Sequence, residues 1–597
     1  MKRTIDTLSQ SVLLMRDRPS SQTAIKYKSK QGWQSLNWQQ YYALIQNAGL
    51  SLLELGIKAE DRVAIFSNTR VEWCIADYGI MGIQAITVPI YQTMTAEDLE
   101  YVLNDSAAKL VFVENRALLK ILNQIKARCP HIEKIVLIDS DGSDTSTSTE
   151  EILTWSQFLN AGAGGPAEKF VELCQRAKID DTATILYTSG TTGLPKGVVL
   201  CHRQGVSEIH DAFNYVGAGP NDISLTFLPY AHILGRIEHW GSTYVGSTLA
   251  FAESIEKVRS NLQEIRPTFM MSVPRIFEKI YSAIWAQVES NFVSNKIFRW
   301  ALAVGLKAGD HRLKREPIPM ALLAQYEVAK KLALHKVTDA FGGRLRFAIS
   351  GGASIPKDIA LFFHACEVLI LEGYGLTETT GALTVNAPFD YRFGSVGKPF
   401  GDVQLKIAPE DGEILAKSDK IVREYYKNPE ATKESFVDGW FRTGDIGEIM
   451  SCGDLRITDR KKDLIKTSGG KYVAPQHVEN LLKTNSFISH ALVHGDQRKF
   501  IVALLTLDKG FILTFAKEKQ ISYSDYASLT QHPQVLELVR KGVAETNTQL
   551  ASYESIKRFA VLTEDFTVEG GELTPSLKVK RKILDKKYKR EIDSLYQ

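Results

Sequence analysis

Between Tyr187 and Gly197 the chain reads YTSGTTGLPKG, directly behind the β-branched and apolar run Thr182-Ala183-Thr184-Ile185-Leu186. The pattern predicts a buried strand that ends in an anion-binding loop. Glycines at 190, 193 and 197 let backbone N–H groups approach an anion closely, and such nests bind phosphate. Thr188, Ser189, Thr191 and Thr192 add side-chain donors, and Lys196 adds a compact positive charge. The spacing differs from the other well-known phosphate loop, in which GK[ST] follows four residues after a glycine. A merely flexible turn is the alternative reading, and it leaves so dense a set of donors unexplained. The segment is read as a holder of nucleotide phosphates.

Six further segments accompany it in order: FLPYAHILGR (227–236), SGGASIP (350–356), EGYGLTET (372–379), GWFRTGDIG (439–447), ITDRKKDLIKTSGGKYVAP (457–475) and LTPSLKVKRK (573–582). Together these motifs resemble the adenylate-forming superfamily of acyl-CoA synthetases, firefly-type luciferases and peptide-synthetase adenylation domains, and the likeness covers nearly the whole chain. RPTFMMSVPRIFEKIY (266–281), the basic insertion behind it and the LTPSLKVKRK ending are most similar to the long-chain fatty acyl-CoA synthetases.

The chain's 597 residues are enough for several domains and a large core. A net charge of +3 is close to neutral at this size, so bulk charge points to no nucleic-acid partner. The six cysteines are scattered without metal-ligand spacing and read as reduced thiols of a cytoplasmic enzyme. Val12–Met15 is too short an apolar run for a signal peptide, and no stretch of about 18 apolar residues predicts a membrane span.

Helical spacing over 38–55 ends at Gly56, Arg62–Phe66 reads as a strand and Trp73–Gly82 as a helix. Lys109–Val113 and Lys134–Ile138 repeat the strand signal, so parallel sheets with helical cover are expected, an α/β arrangement. The polar run 139–151 reads as a surface loop. Residues 291–340 form a basic helical insertion, which fits either peripheral contact with an anionic membrane's inner face or packing on the main body with snorkelling lysines. Eight Lys/Arg between 578 and 590 against Asp585 read as a solvated helix face.

The resemblance supplies what composition does not. It implies a large N-terminal domain (1–458) of stacked β-sheets with helical cover and a β-barrel-like part, followed by a small mobile α+β C-terminal domain (459–597) hinged near 459–462. It implies ATP, Mg²⁺ and coenzyme A as cofactors and a fatty acid as substrate. Thr188 to Lys196 would cradle the β- and γ-phosphates. Glu378, a hard-oxygen ligand, would hold Mg²⁺ with Thr188 and water, and Thr377 would donate to the α-phosphate. The adenine would stack on Tyr374, beside Gly375, with Gly351, Gly352 and Ala353 closing its other face. Asp445 and Arg460 would meet the ribose. Lys578 would reach the α-phosphate and carboxylate oxygens during adenylation; Leu577 stands where the commoner form has glycine, which makes Lys580 a rival. Lys462 matches the hinge, and Ser468, Gly469, Gly470 and Lys471 would face the thioester-forming site. His232 is read either as a thiol base or as a hydrogen-bonded gate residue. Arg236 is expected to line an acyl or phosphate entrance, and Trp240 either to gate a lipid tunnel or to sit in the core.

The expected activity is ATP-dependent joining of a long-chain fatty acid to coenzyme A through acyl-AMP. A fatty acyl-AMP ligase that loads a carrier protein shares every nucleotide residue named. A non-catalytic nucleotide or lipid sensor has no need of the charge-neutralising lysine.

Overall fold

A computed structural model describes residues 4–139, 151–188, 194–289, 292–568, 570–574 and 579–597. The surface-loop run expected over 139–151 lies almost wholly outside them. The chain builds two large sheets, a smaller antiparallel sheet and a C-terminal three-stranded sheet. Local chemistry sets the elements. The Trp38–Glu54 helix starts at a capping box, in which Asn37 accepts from the Gln40 amide and Gln40 returns a bond to the Asn37 amide. It buries Trp38, Tyr41, Ile45, Ala48 and Leu52, and the chain turns away at Gly56 with φ of 84°.

The seven-stranded sheet runs Ile152–Thr154, Lys134–Leu137, Leu110–Val113, Arg62–Phe66, Ile86–Ile90, Thr182–Thr188 and Lys196–Cys201. All its pairs are parallel except the last, in which Thr188 lies opposite Lys196. Both faces are covered, so its strands are runs of Val, Ile and Leu rather than alternating patterns. The nine-stranded sheet is parallel from Thr23–Ser29 through Thr248–Phe251, Ile223–Thr226, Phe269–Ser272 and Phe347–Ser350 to Ile370–Leu376. Antiparallel strands close its edges, Gly32–Asn37 on one side and Gly381–Val385 with Lys398–Pro399 on the other. The third sheet, Gln404–Ile407, Glu413–Lys417, Phe436–Val437, Trp440–Ile449 and Leu455–Arg460, is antiparallel throughout. The C-terminal sheet of Ile488–His494, Ile501–Leu507 and Ile556–Val561 has its own apolar cluster, with Val478, Leu482, Val535 and Val539 among its members.

One buried ion pair joins the helical layers of the two large sheets. Asp77, on the Val71–Gly82 helix, accepts from Arg236 at 2.8 Å, from Trp240 Nε1 at 3.2 Å and from Thr87 at 2.7 Å. Arg236 and Trp240 belong to the Ile233–Val245 helix, and the Arg236 guanidinium lies between the rings of Trp73 and Trp240 at 5.0 and 4.5 Å. Both charged side chains are fully buried. Burial alone would raise the Asp77 carboxyl, but Arg236 and His239 outweigh it and hold it below the ordinary carboxylate range. Arg236 therefore lines no entrance, contrary to the expectation from its motif, and Trp240 is a core residue. A charge taken so far from water persists only with a partner, so the two must be kept or lost together. Asp77→Ala should cost about 3–5 kcal/mol by stranding the guanidinium. Adding Arg236→Met should restore part of that loss, read as the midpoint of urea unfolding; a double variant no better than Asp77→Ala would count against the pairing.

Candidate active site

The hairpin between Ile370–Leu376 and Gly381–Val385 carries Thr377 and Glu378 at its tip. Gly375 is required there, because a Cβ would stand 1.5 Å from the Gly381 carbonyl oxygen. Within the turn Thr379 Oγ1 accepts from the Leu376 amide at 2.8 Å and donates to the Gly381 carbonyl at 2.7 Å. Behind it Thr380, with φ of 56°, donates to the Lys420 carbonyl at 2.6 Å. Lys420 is buried and pairs at 3.2 Å with Glu208 of the His202–Val216 helix, which accepts from the Ala382 amide at 2.9 Å. Burial pushes the Glu208 carboxyl up against the pull of Lys420. The tip that presents Glu378 is thus braced from behind by a buried charge pair.

Tyr425 brings the phosphate-loop end and the hairpin tip together. Its hydroxyl donates to Glu378 Oε1 at 2.8 Å, and Lys196 Nζ lies 5.2 Å from its ring centroid. The segment holding Tyr425 runs along Lys196–Cys201, with Tyr425 bridged to Val198 and the Tyr426 amide donating to the Gly197 carbonyl at 2.7 Å. Thr188 and Lys196 sit opposite each other where the two strands end. Ser189, Gly190, Thr191, Thr192 and Gly193 lie outside the described residues. Glu378 is half-buried with one oxygen held by Tyr425. It suits magnesium, which is commonly held by one or two carboxylates together with substrate phosphates and water.

Tyr374 and Asp445 also meet. The buried Tyr374 hydroxyl donates to Asp445 Oδ2 at 2.8 Å, and Arg460 Nε stands 3.4 Å from Asp445 Oδ1 across paired strands. Burial, then the Asp445 charge, raises the Tyr374 phenol far above its ordinary value, so it remains a donor. Partial burial and the Arg460 guanidinium hold the Lys462 ammonium below the usual lysine range, against the pull of Asp463, Asp445 and Glu378. Gly351, Gly352 and Ala353 follow the Phe347–Ser350 strand; the Gly351 amide donates to Ser272, and Gly352 has φ of 82°. His232 caps the Ile233–Val245 helix, its Nδ1 accepting from the Leu234 amide at 3.2 Å.

The remaining residues stand apart. Gly469, Gly470 and Lys471 lie exposed on the loop between Ile465–Lys466 and Tyr472–Val473. There Lys471 Nζ sits 5.9 Å from the Tyr553 ring. Lys578 lies outside the described residues. Just behind its position, Arg581 donates to Glu479 at 2.6 Å and to the Val493 carbonyl at 2.7 Å, so the expected solvated face has one inward arginine. Sequence reasoning missed Tyr425, the Glu208–Lys420 brace and Arg581. Tyr425, Glu208 and Lys420 have no motif spacing to mark them; Arg581 lies within LTPSLKVKRK, where the sequence shows only its charge.

A model of the AMP-binding enzyme family matches residues 15–426, and one of the AMP-binding enzyme C-terminal domain matches 462–597. The chain is 36% identical over 556 residues to the long-chain-fatty-acid–CoA ligase FadD15 of Mycobacterium bovis, covering 92% of this chain and 90% of that protein. It is 31% identical over 586 residues to fatty acyl-CoA synthetase A of Dictyostelium discoideum, covering 94% and 86%. The crystal structure of the adenylation domain of a Mycobacterium chelonae carboxylate reductase matches with a TM-score of 0.76 and 20% identity, over 99% of this chain and 91% of that one, a likeness of fold.

Glu372, two residues before Tyr374, gives the site a pH signature. Burial pushes its carboxyl up to about 7 from 4.5, although it accepts from the Ile355 amide at 3.1 Å. The native state therefore holds this proton more tightly than the unfolded chain. The stability it contributes is complete below pH 4.5 and is lost as pH rises through about 7. Glu372→Gln keeps the acceptor and removes the titration. It should match the wild type in acid and gain on it above neutrality by roughly 3 kcal/mol. Urea midpoints compared across pH check this, and a difference that does not vary with pH excludes it.

Proposed function

This chain belongs to the AMP-binding enzyme family, and from that premise we propose that it joins a long-chain fatty acid to coenzyme A in an ATP-dependent reaction through acyl-AMP. The observation that carries the reading is Tyr425, which joins Lys196 to the carboxylate of a hairpin tip whose strand also carries Tyr374, itself bonded to Asp445. These contacts support a reading in which phosphate, metal and nucleoside functions share one locality. One curated relative named above is a long-chain-fatty-acid–CoA ligase and the other a fatty acyl-CoA synthetase, which supports the same substrate class here.

A fatty carboxylate is a poor acylating agent because its leaving group is oxide. In the first step a carboxylate oxygen attacks the α-phosphorus, and the bond to pyrophosphate breaks in line. The chain's work is positioning and charge neutralisation. Thr188 to Lys196 hold the β- and γ-phosphates, Thr377 donates to the α-phosphate, and Lys578 approaches its oxygens from the C-terminal domain. Glu378, with Thr188, would hold magnesium, which when bound would neutralise phosphate charge. Tyr374 lies against the adenine beside Gly375, with Gly351, Gly352 and Ala353 opposite, while Asp445 accepts from the ribose hydroxyls and Arg460 holds Asp445. In the second step the coenzyme A thiolate attacks the acyl carbon, AMP leaves, and the thiol proton passes to solvent or to His232.

The two steps need different groups at one place, so the C-terminal domain, taken to begin at 459, turns about 459–462. Hinges are short segments that absorb φ/ψ change. The turn would exchange Lys578 for the loop of Ser468, Gly469, Gly470 and Lys471, whose glycines leave room for a pantetheine arm.

Purified protein with palmitate, magnesium and α-labelled ATP should release pyrophosphate, and adding coenzyme A should yield palmitoyl-CoA and AMP. Formation of ADP and orthophosphate would overturn the reading; pyrophosphate without thioester would assign an acyl-AMP ligase instead. Lys578→Ala should lower adenylation at least ~100-fold with ATP binding retained, as loss of a charge-stabilising group does. Lys580→Ala should have little effect, and the reverse result would exchange the two lysines.

A further inference from the structure

The basic insertion forms two helices, Phe292–Lys314 and Met320–Ala329, that fold back on each other between Arg315 at φ of 58° and Pro319. Their inner faces seat on the end of the Lys357–Ala365 helix. Gly305 and Gly309 allow this approach, since a Cβ on Gly305 would stand 2.7 Å from the Ala365 carbonyl oxygen. Tyr326 donates to that carbonyl at 3.2 Å, and Arg312 donates to the His364 carbonyl at 3.2 Å. Both helices therefore turn their opposite faces outward.

Those outward faces carry exposed apolar side chains among their charged ones. On the first helix Phe292, Val293, Ile297, Trp300 and Leu306 are exposed, Phe292 at 72%. On the second and just beyond it Met320, Leu323, Val328 and Leu332 are exposed, Met320 at 81%. Nine of the nineteen exposed large apolar or aromatic side chains among the described residues thus fall within 292–332, far more than scattered surface exposure would place there. Interleaved with them stand Lys296, Lys307, Lys331 and Lys336, all exposed. Among the described residues the last three have no ion-pair partner, whereas Arg299, Lys314, Arg315 and Lys330 are matched by Glu289, Asp310, Asp390 and Glu367.

We propose that this outer face of the helical hairpin docks the protein on an anionic lipid bilayer. Apolar side chains among lysines match the acyl boundary and the phosphate headgroups of one surface at once. Trp300 has the amphipathic ring favoured at that depth. A second copy seated on the same face would set like charges opposite one another, so charge complementarity favours lipid over self-association. No helix among the described residues is long and apolar enough to cross a membrane, so the contact is peripheral. The proposal stands on the surface alone and does not depend on which reaction the site performs.

Co-sedimentation of the full chain with vesicles of phosphatidylcholine, or of phosphatidylcholine with about one-third phosphatidylglycerol, tests it. Binding should favour the anionic vesicles at least ~10-fold and weaken as salt rises. Ile297→Glu/Trp300→Glu should lower it ~10-fold, and Lys307→Glu/Lys331→Glu should lower it while removing most of the salt dependence. Unchanged circular dichroism and melting of these surface variants confirm that they fold. No binding to anionic vesicles, equal binding to both compositions, or variants that bind like the wild type each overturns the proposal. So does a wild-type dimer in sedimentation velocity that the Ile297/Trp300 variant dissolves, which would assign the face to a second copy.

Discussion

The contact between Asp77 and Arg236 ties the two large sheets of the main body to each other. Asp77 takes Thr87 from the seven-stranded sheet, Arg236 lies 3.4 Å from Thr184 of the same sheet, and the helix carrying Arg236 covers the nine-stranded sheet. One pair of opposite charges, shut away from water among Trp73, Trp240 and Tyr230, thereby links the two sheets. Apolar contacts tolerate sliding; a buried, directional charge pair does not, because any shift leaves a charge without its partner. The consequence appears at the strand ends. Thr188 closes a strand of one sheet and Tyr374 lies near the end of a strand of the other, and a nucleotide laid across them as proposed would need both at a constant separation.

The sheet architecture was legible because its strands and helices obey local rules. The helix over 38–55, the strands at 62–66, 109–113 and 134–138 and the helix before Gly82 all appear within a residue or two of where periodicity put them. The site was legible in a different way. Tyr374, Glu378 and Asp445 were named from motif resemblance, and only folding shows that Tyr374 bonds Asp445 and that Glu378 is reached from Lys196 through Tyr425. Tyr425 was illegible because nothing in a sequence separates a tyrosine that bonds a carboxylate from one that fills a core. Arg236 was misread for the complementary reason. Arginine within a site motif invites a ligand, and its partner Asp77 lies 159 residues away, where no spacing rule reaches. The Glu208–Lys420 brace is hidden by the same long separation.

The contacts between the C-terminal part and the main body are of another kind. Lys483 pairs with Glu278 at 2.8 Å, Arg275 donates to the Ser489 carbonyl at 2.8 Å and stands 3.5 Å from Asp565, and Asn480 bonds Ser354 at 2.7 Å. Burial alone would raise the Asp565 carboxyl, but His490 and Arg275 overcome it and hold it well below the ordinary range. These are polar pairs, and water can replace each partner when they separate. An interface of this composition is suited to opening and closing, whereas an apolar one would have to expose oil to water at every turn.

The two regimes divide the labour of the proposed reaction. Adenylation demands phosphate, metal and nucleoside ligands at separations that do not drift, and the residues proposed for phosphate, metal and adenine lie on elements braced by buried charge: the Asp77–Arg236 pair between the sheets and the Glu208–Lys420 pair behind the Glu378 turn. Thioester formation demands that one side of the same site be rebuilt, and the groups nominated for it lie on a domain held by exchangeable polar contacts. Arg581 connects the two demands at the scale of a single side chain. By tying the segment behind Lys578 to Glu479 and Val493 inside the C-terminal domain, it makes that segment travel with the domain as a unit instead of trailing as a loose tail. In the proposed reaction a lysine delivered on such a unit would arrive and leave with the domain's rotation, so the movement that brings the thiol side forward would withdraw the charge that the first step needs.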